Sequence, residues 1–272
     1  MISPFVTVAW LEEHRSDVVL ADVRWYLDGR RGDLAYAAGH VPGAVYVDLD
    51  RGLAAPPSRE GGRHPLPDPL VFASAMSDAG IGDETTVVAY DDEGGVIAAR
   101  LVWMLRATGH DAALLDGGLA AWPGSLASGP STSETVPFTP PVWPHELLAS
   151  IDDVTRPGHV VVDARDADRY RGEREPIDPR AGHIPGARSL PCRENLDATG
   201  RLRPIPELRE RLRAAGVTEG RHLISYCGSG VTACHNLLVV EHLGLGRGRL
   251  LPGSWSQYSK DPERPVATGS EP

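Results

Sequence analysis

AAGHVPGAVYVDL at residues 37–49 returns as RAGHIPGARSLPC at residues 180–192, and this return decides how the chain is organised. Upstream of it, VVLADVRW at 18–25 is matched by VVVDARDADRY at 160–170. Downstream, TTVVAYDDEGG at 85–95 is matched by HLISYCGSGVT at 222–232, and AALLDGG at 112–118 by GRLLPGS at 248–254. His40 and His183 lie 143 positions apart, whereas Asp91 and Cys227 lie 136 apart, so short insertions separate the motifs. The period is far longer than that of a solenoid. One domain plan has been duplicated.

PGSLASGPSTSETVPFTPP at 123–141 is rich in Pro, Ser, Thr and Gly and has no helical period, which marks a linker. The expected division is a domain over 1–125, a linker over 126–141 and a second domain over 142–272. In each copy, short β-branched runs (18–23 and 86–90; 160–164 and 223–226) alternate with helical patterns at 96–108 and 231–243. That alternation predicts an α/β fold, each copy a mainly parallel sheet with helices on both faces. Ligands of such sheets bind beyond the carboxyl ends of the strands, and Cys227 stands immediately beyond one.

The 272 residues carry a formal net charge of −10, with 41% hydrophobic and 24% charged residues. No block of Lys or Arg is present and Lys260 is the single lysine, so nucleic acid is not an expected partner. No apolar run reaches the roughly 20 residues that span a bilayer, and the N-terminal stretch lacks the marks of a secretory signal. A cytoplasmic protein with no membrane partner is the expectation. The three cysteines, Cys192, Cys227 and Cys234, fit neither a disulfide framework nor a structural zinc site. No metal or organic cofactor is indicated.

Cys227 opens a strand-to-helix loop, Cys227-Gly228-Ser229-Gly230-Val231-Thr232. Two glycines let the loop curl and turn backbone N–H groups inward, and the next helix aims its positive end there. Both effects favour a thiolate and would equally hold a persulfide anion. The equivalent loop, Asp91-Asp92-Glu93-Gly94-Gly95, has an acid in place of the cysteine. Such an acidic trio at a loop tip is expected to be solvated rather than metal-binding. Cys234 and Cys192 are expected to be packing residues, with trapping of an oxidised Cys227 as the lesser alternative. Trp255 either walls the site or belongs to the core.

Through the paired GHVPGA and GHIPGA motifs, DVRW and DAR, and YCGSGVT, nearly the whole chain resembles the tandem-domain rhodanese family. The resemblance implies two rhodanese-like α/β domains, the first inactive and the second carrying the catalytic cysteine. Family members specialised for thiosulfate carry basic residues in the cysteine loop, where this chain has Gly228 and Ser229. A CGSGVT loop is similar instead to that of the 3-mercaptopyruvate sulfurtransferases. Mercaptopyruvate brings a carboxylate and a ketone, which suit arginine forks. Arg169 in DADRYRG matches the family's substrate arginine. The second arginine falls in a loop that is shorter here, leaving Arg180 and Arg174 as alternatives to each other and to plain solvated charges. Gly228, Gly230, Val231 and Thr232 would line the substrate. The resemblance also implies a serine–histidine–aspartate relay, which Ser229 and His40 fit, with Asp33 as the acid and Asp28 competing. A structural alternative stands beside it, because His183 occupies the same motif in the other copy.

The implied reaction moves sulfur from a small donor, through a Cys227 persulfide, to a thiol, cyanide or a thioredoxin-like acceptor. Thiosulfate as donor is one alternative, and a persulfide carrier or sensor without turnover is another. Cysteine phosphatases share this style of loop but close it with an arginine six residues after the cysteine, where this chain has Ala233.

Overall fold

Val18–Asp22 (β2) and Thr86–Tyr90 (β4) lie side by side in parallel, Val18 opposite Thr86 and Asp22 opposite Tyr90. They form the centre of a five-stranded sheet with Phe5–Val6 (β1), Val45–Tyr46 (β3) and Ala112–Leu115 (β5), in the order β1-β5-β4-β2-β3. Every pairing is parallel. Successive residues of β5, and of β4 from Val87, are all buried, which requires cover on both faces of the sheet. The crossovers supply it, among them Pro69–Asp78 (α4) and Ala99–Ala107 (α5), after Val8–Glu13 (α1), Gly32–Ala38 (α2) and Leu49–Gly52 (α3). Helix α4 starts where the sequence demands it, with Asp68 accepting from Leu70 N and Pro69 in the first turn.

The computed structural model describes all of residues 1–272, in two units. The sheet just described belongs to unit 1, made of Met1–Ala55, Pro67–Trp143 and Asp197–Leu202. Unit 2 is made of Pro56–Leu66, Pro144–Leu196 and Arg203–Pro272. Its sheet comprises Val160–Asp163 (β6), Arg188–Ser189 (β7), Leu223–Tyr226 (β8) and Arg249–Leu250 (β9), all parallel, in the order β7-β6-β8-β9. Ala167–Tyr170 (α6), Ile205–Ala214 (α7), Ala233–His242 (α8) and Ser254–Tyr258 (α9) complete it. Residues 56–66 are a departure from the repeat: they lie in the first copy by sequence but pack within unit 2. No helix is long and apolar enough to cross a membrane.

The repeated motifs do the same work twice. At the end of β2, Asp22 takes a bidentate grip from Arg24, whose Nη2 also donates to Gly39 O at 2.7 Å. At the end of β6, Asp163 and Arg165 repeat this, with Gly182 O as the carbonyl. Tyr90 OH accepts from Val41 N, as Tyr226 OH does from Ile184 N. His40 stacks on Tyr36 with its Nδ1 on Tyr36 O, and His183 stacks on Tyr170 with its Nδ1 on Tyr170 O. These two histidines therefore tie the Gly-His-x-Pro-Gly turn to the preceding chain.

Helix α8 is buried over its first eight residues, His235 included. Asn195 reaches both His235 and Asn236, and Asn236 donates to Leu190 O. Burial, with Arg193 nearby, pulls the His235 imidazole down to about 3. A base depressed in the folded state binds fewer protons there than in the unfolded chain, so stability falls once pH drops below the ordinary histidine range. Between pH 6.5 and 5 the wild type should lose roughly 1–2 kcal/mol more unfolding free energy than His235→Gln. Urea denaturation at a series of pH values measures this, and parallel curves for the two proteins would refute it.

Candidate active site

Strand β8 ends at Tyr226, and the chain turns at once into the cysteine loop. Cys227 is 2% exposed, and its Sγ accepts a hydrogen bond from Gly230 N at 3.2 Å. Cys227 N is held by Ser254 Oγ at 3.2 Å, and Ser254 Oγ in turn donates to Leu251 O. Trp255 N donates to Cys227 O and Ser256 N to Gly228 O, so the start of α9 braces the loop from outside. Ser254 is the one non-glycine residue with positive φ, at 49°, a strain accepted where its hydroxyl fixes the nucleophile's backbone. Gly230 has φ +79°, and a Cβ there would stand 2.4 Å from Pro252 O.

The duplicate loop in unit 1 shows what such a cradle holds. Asp91 is fully buried, contrary to the expectation of a solvated tip, because its carboxylate fills the cradle itself. Oδ1 accepts from Glu93 N and Gly95 N at 2.8 and 2.7 Å, and Oδ2 from Ile97 N and Ala98 N at 2.7 and 2.8 Å. These amides turn inward before the helix begins, which is why α5 starts at Ala99 and not at the expected Val96. Burial raises the Asp91 carboxyl while the four amides lower it, with burial the larger effect. In unit 2 the same loop surrounds a sulfur atom instead.

Ser229 is buried, with its hydroxyl 2.7 Å from Nδ1 of His64. This corrects the sequence expectation: the histidine that meets Ser229 is His64, while the His40 ring is engaged by Tyr36 in the unit 1 turn. Asp33 sits on α2, partly exposed and paired with Arg31. Asp28 is likewise exposed and paired with Arg30. His64 arrives on the 56–66 segment, which breaks the repeat and so has no duplicate to draw attention to it. Its signal was the change in repeat offset, from 143 to 136, between the motifs that flank GGRHPLP at 61–67.

Arg169 lies on α6, 7% exposed, its Nη2 donating to both oxygens of Glu175 at 2.7 and 2.9 Å. Glu175 Oε2 also receives Arg165 Nη1 at 3.2 Å. Neither alternative for the second arginine joins this group. Arg174 is half exposed and pairs with Asp168 and Asp166. Arg180 donates to four backbone carbonyls, of Tyr258, Ser259, Asp261 and Arg264, and so clamps the chain that follows α9. The guanidinium found beside Arg169 is that of Arg63, whose Nη1 donates to Asp178 Oδ1 at 2.9 Å. Asp178 Oδ2 stands 3.5 Å from Arg169 Nη2.

Trp255 is core: fully buried, it carries Arg165 over its ring and donates to Arg180 O. Cys234 Sγ donates to Gly230 O at 3.4 Å, bracing the loop. Burial pushes the Cys192 thiol up to about 12, which leaves it protonated and inert. Val231 is buried in the loop and Thr232 is the N-cap residue of α8. The site thus offers a sulfur nucleophile in an amide cradle, a hydroxyl–imidazole pair and clustered guanidinium groups.

Residues 7–124 and 144–261 each match the rhodanese-like domain family. A probable 3-mercaptopyruvate sulfurtransferase of Pseudomonas aeruginosa is 44% identical, over 93% of this chain and 93% of its own length. A putative thiosulfate sulfurtransferase of Mycobacterium tuberculosis is 37% identical, over 93% of this chain and 92% of that one. The solved structure of a 3-mercaptopyruvate sulfurtransferase from Leishmania major superposes with a TM-score of 0.85 at 34% identity, covering 94% of this chain and 74% of that one.

Gly230→Ala tests the cradle. The added methyl meets the Pro252 carbonyl at a φ that alanine disfavours, which should cost about 2–4 kcal/mol of unfolding free energy and displace the amide from the sulfur. Chemical denaturation with alkylation kinetics of Cys227 measures both. A variant as stable and as reactive as wild type would sink the argument.

Proposed function

We propose that this chain, which belongs to the rhodanese family and carries its domain twice, is a sulfurtransferase that takes sulfur from 3-mercaptopyruvate. The observation that carries the reading is the Cys227 sulfur held by the Gly230 amide beside the Ser229–His64 pair. The Cys227 thiolate attacks the donor sulfur; an S–S bond forms and the donor C–S bond breaks. Its electron pair leaves with pyruvate as the enolate. The donor thiol gives up one proton and the enolate carbon takes one, a transfer that Ser229 and His64 are spaced to relay. Amides of the Cys227 loop, Gly230 N among them, then stabilise the persulfide anion, as those of the matching loop hold the Asp91 carboxylate in unit 1. An acceptor thiolate or cyanide attacks the outer sulfur and returns Cys227 as thiolate.

A reduced thioredoxin-like protein suits the acceptor role, since its thiolate is the nucleophile that the second step needs. A reducing cytoplasm suits a chain whose three cysteines are all free thiols. Thiosulfate stands as the second reading, favoured by the guanidinium groups of Arg169 and Arg63, which would also accept a dianion.

Steady-state rates with each donor, using cyanide as acceptor, decide between the two, and mass spectrometry reads the sulfur added to Cys227. Preference for 3-mercaptopyruvate, lost with the added mass in Cys227→Ser, is the expected result. Preference for thiosulfate would overturn the donor, and persulfide without turnover would favour a carrier. His64→Gln and Ser229→Ala should each lower kcat by about 10- to 1,000-fold with little change in folding stability. Undiminished kcat in both would remove the relay.

A further inference from the structure

The space directly above Gly228, next to the nucleophile, is bounded by two guanidinium groups from separate stretches of chain. A Cβ at Gly228 would lie 3.0 Å from Arg63 Nη2, 3.5 Å from Arg169 Nη1 and 3.8 Å from Arg169 Nη2. Each fork is anchored by one part and open by another. Arg63 gives Nη1 to Asp178, and Arg169 gives Nε and Nη2 to Glu175. Arg63 Nη2 and Arg169 Nη1, the atoms nearest Gly228, have no acceptor in the protein. Arg63 Nε is buried and also without a partner. Two fork nitrogens left without a protein acceptor over Gly228, beside the buried Arg63 Nε, describe a position suited to an anion.

The placement of Arg63 is built into the backbone. Its own N–H donates to Ser256 Oγ at 2.9 Å. Gly62, at φ +80°, packs so closely that a Cβ would come within 2.5 Å of Gly253 O. The neighbouring His64 is fixed on Ser229. Asp178 is buried between the two forks and spaces them, accepting from Arg63 at 2.9 Å and lying 3.5 Å from Arg169.

We infer that Arg63 is the second donor-binding arginine, gripping the anionic end of the sulfur donor together with Arg169 while Asp178 sets the distance between them. This rests on the reading of an anionic donor. Two forks meeting at one point match a 2-oxo acid, with the carboxylate on one fork and the ketone oxygen on the other. The role missing from the 169–183 loop is thereby filled from a segment more than a hundred positions earlier in the chain.

The test measures donor KM and kcat at fixed cyanide for Arg63→Gln, Arg63→Lys and the double variant Arg63→Gln/Asp178→Asn. The double variant leaves no orphaned buried carboxylate, so it keeps the test valid if the single variant folds poorly. Expected is a rise in KM of about 10- to 100-fold for the preferred donor in Arg63→Gln and in the double variant, with kcat within about threefold. Arg63→Lys should fall between them and wild type, keeping the charge without the fork. A KM within twofold of wild type in the double variant overturns the inference, because any single-variant defect then belongs to the stranded Asp178. The donor that wild type prefers reports separately on the function proposed above.

Discussion

The active site hangs from a buried row of alternating charges: Asp163, Arg165, Glu175, Arg169. Charges this deep are tolerable only when each is paired and hydrogen-bonded, and here each is shared by its neighbours. Asp163 closes β6, Arg165 caps the turn through Gly182 O, and Glu175 passes the order on to Arg169. The strand end, the Gly-His-Ile-Pro-Gly turn and the Arg169 guanidinium are thus tied into one hydrogen-bonded chain. In unit 1 the corresponding Asp22–Arg24 fork secures its turn at Gly39 O. A structural device shared by both copies is extended in unit 2 through Glu175 to the Arg169 guanidinium.

The two loops after β4 and β8 also share one plan with different contents. In both, inward-turned amides donate to the side chain that opens the loop. In unit 1 the receiver and the anion are joined covalently, so the cradle is saturated by Asp91 and nothing else can enter. In unit 2 a smaller, softer side chain takes one such amide, Gly230 N, at 3.2 Å. The residue that opens each loop, Asp91 or Cys227, sets what its amides hold.

Much of this was legible in the sequence, because duplication prints every shared constraint twice. The paired strands, the Gly-His-x-Pro-Gly turns and the Cys227 loop all lie at positions with a matching partner in the other copy, and the two copies fold alike there. The repeat also misled. It lent weight to His40, whose ring does in unit 1 what His183 does in unit 2, each stacked on a tyrosine. His64 and Arg63 have no duplicates, and only tertiary packing of 56–66 against Gly253–Ser256 brings them to Cys227. Arg180 sat in the expected stretch of sequence, but four carbonyls of the C-terminal chain had claimed its guanidinium. Proximity along a loop does not say which way an arginine turns.

The traded segments have a consequence for inheritance. Unit 2 borrows 56–66 from the first repeat, and unit 1 borrows 197–202 from the second, where Leu202 N bonds Asp116. Neither repeat is therefore a self-sufficient module that recombination could lift out intact. A cut at the linker would strand an imidazole and a guanidinium on the half that lacks the nucleophile. Each repeat carries a segment around which the other unit is built, so the two copies are bound together by what they have exchanged.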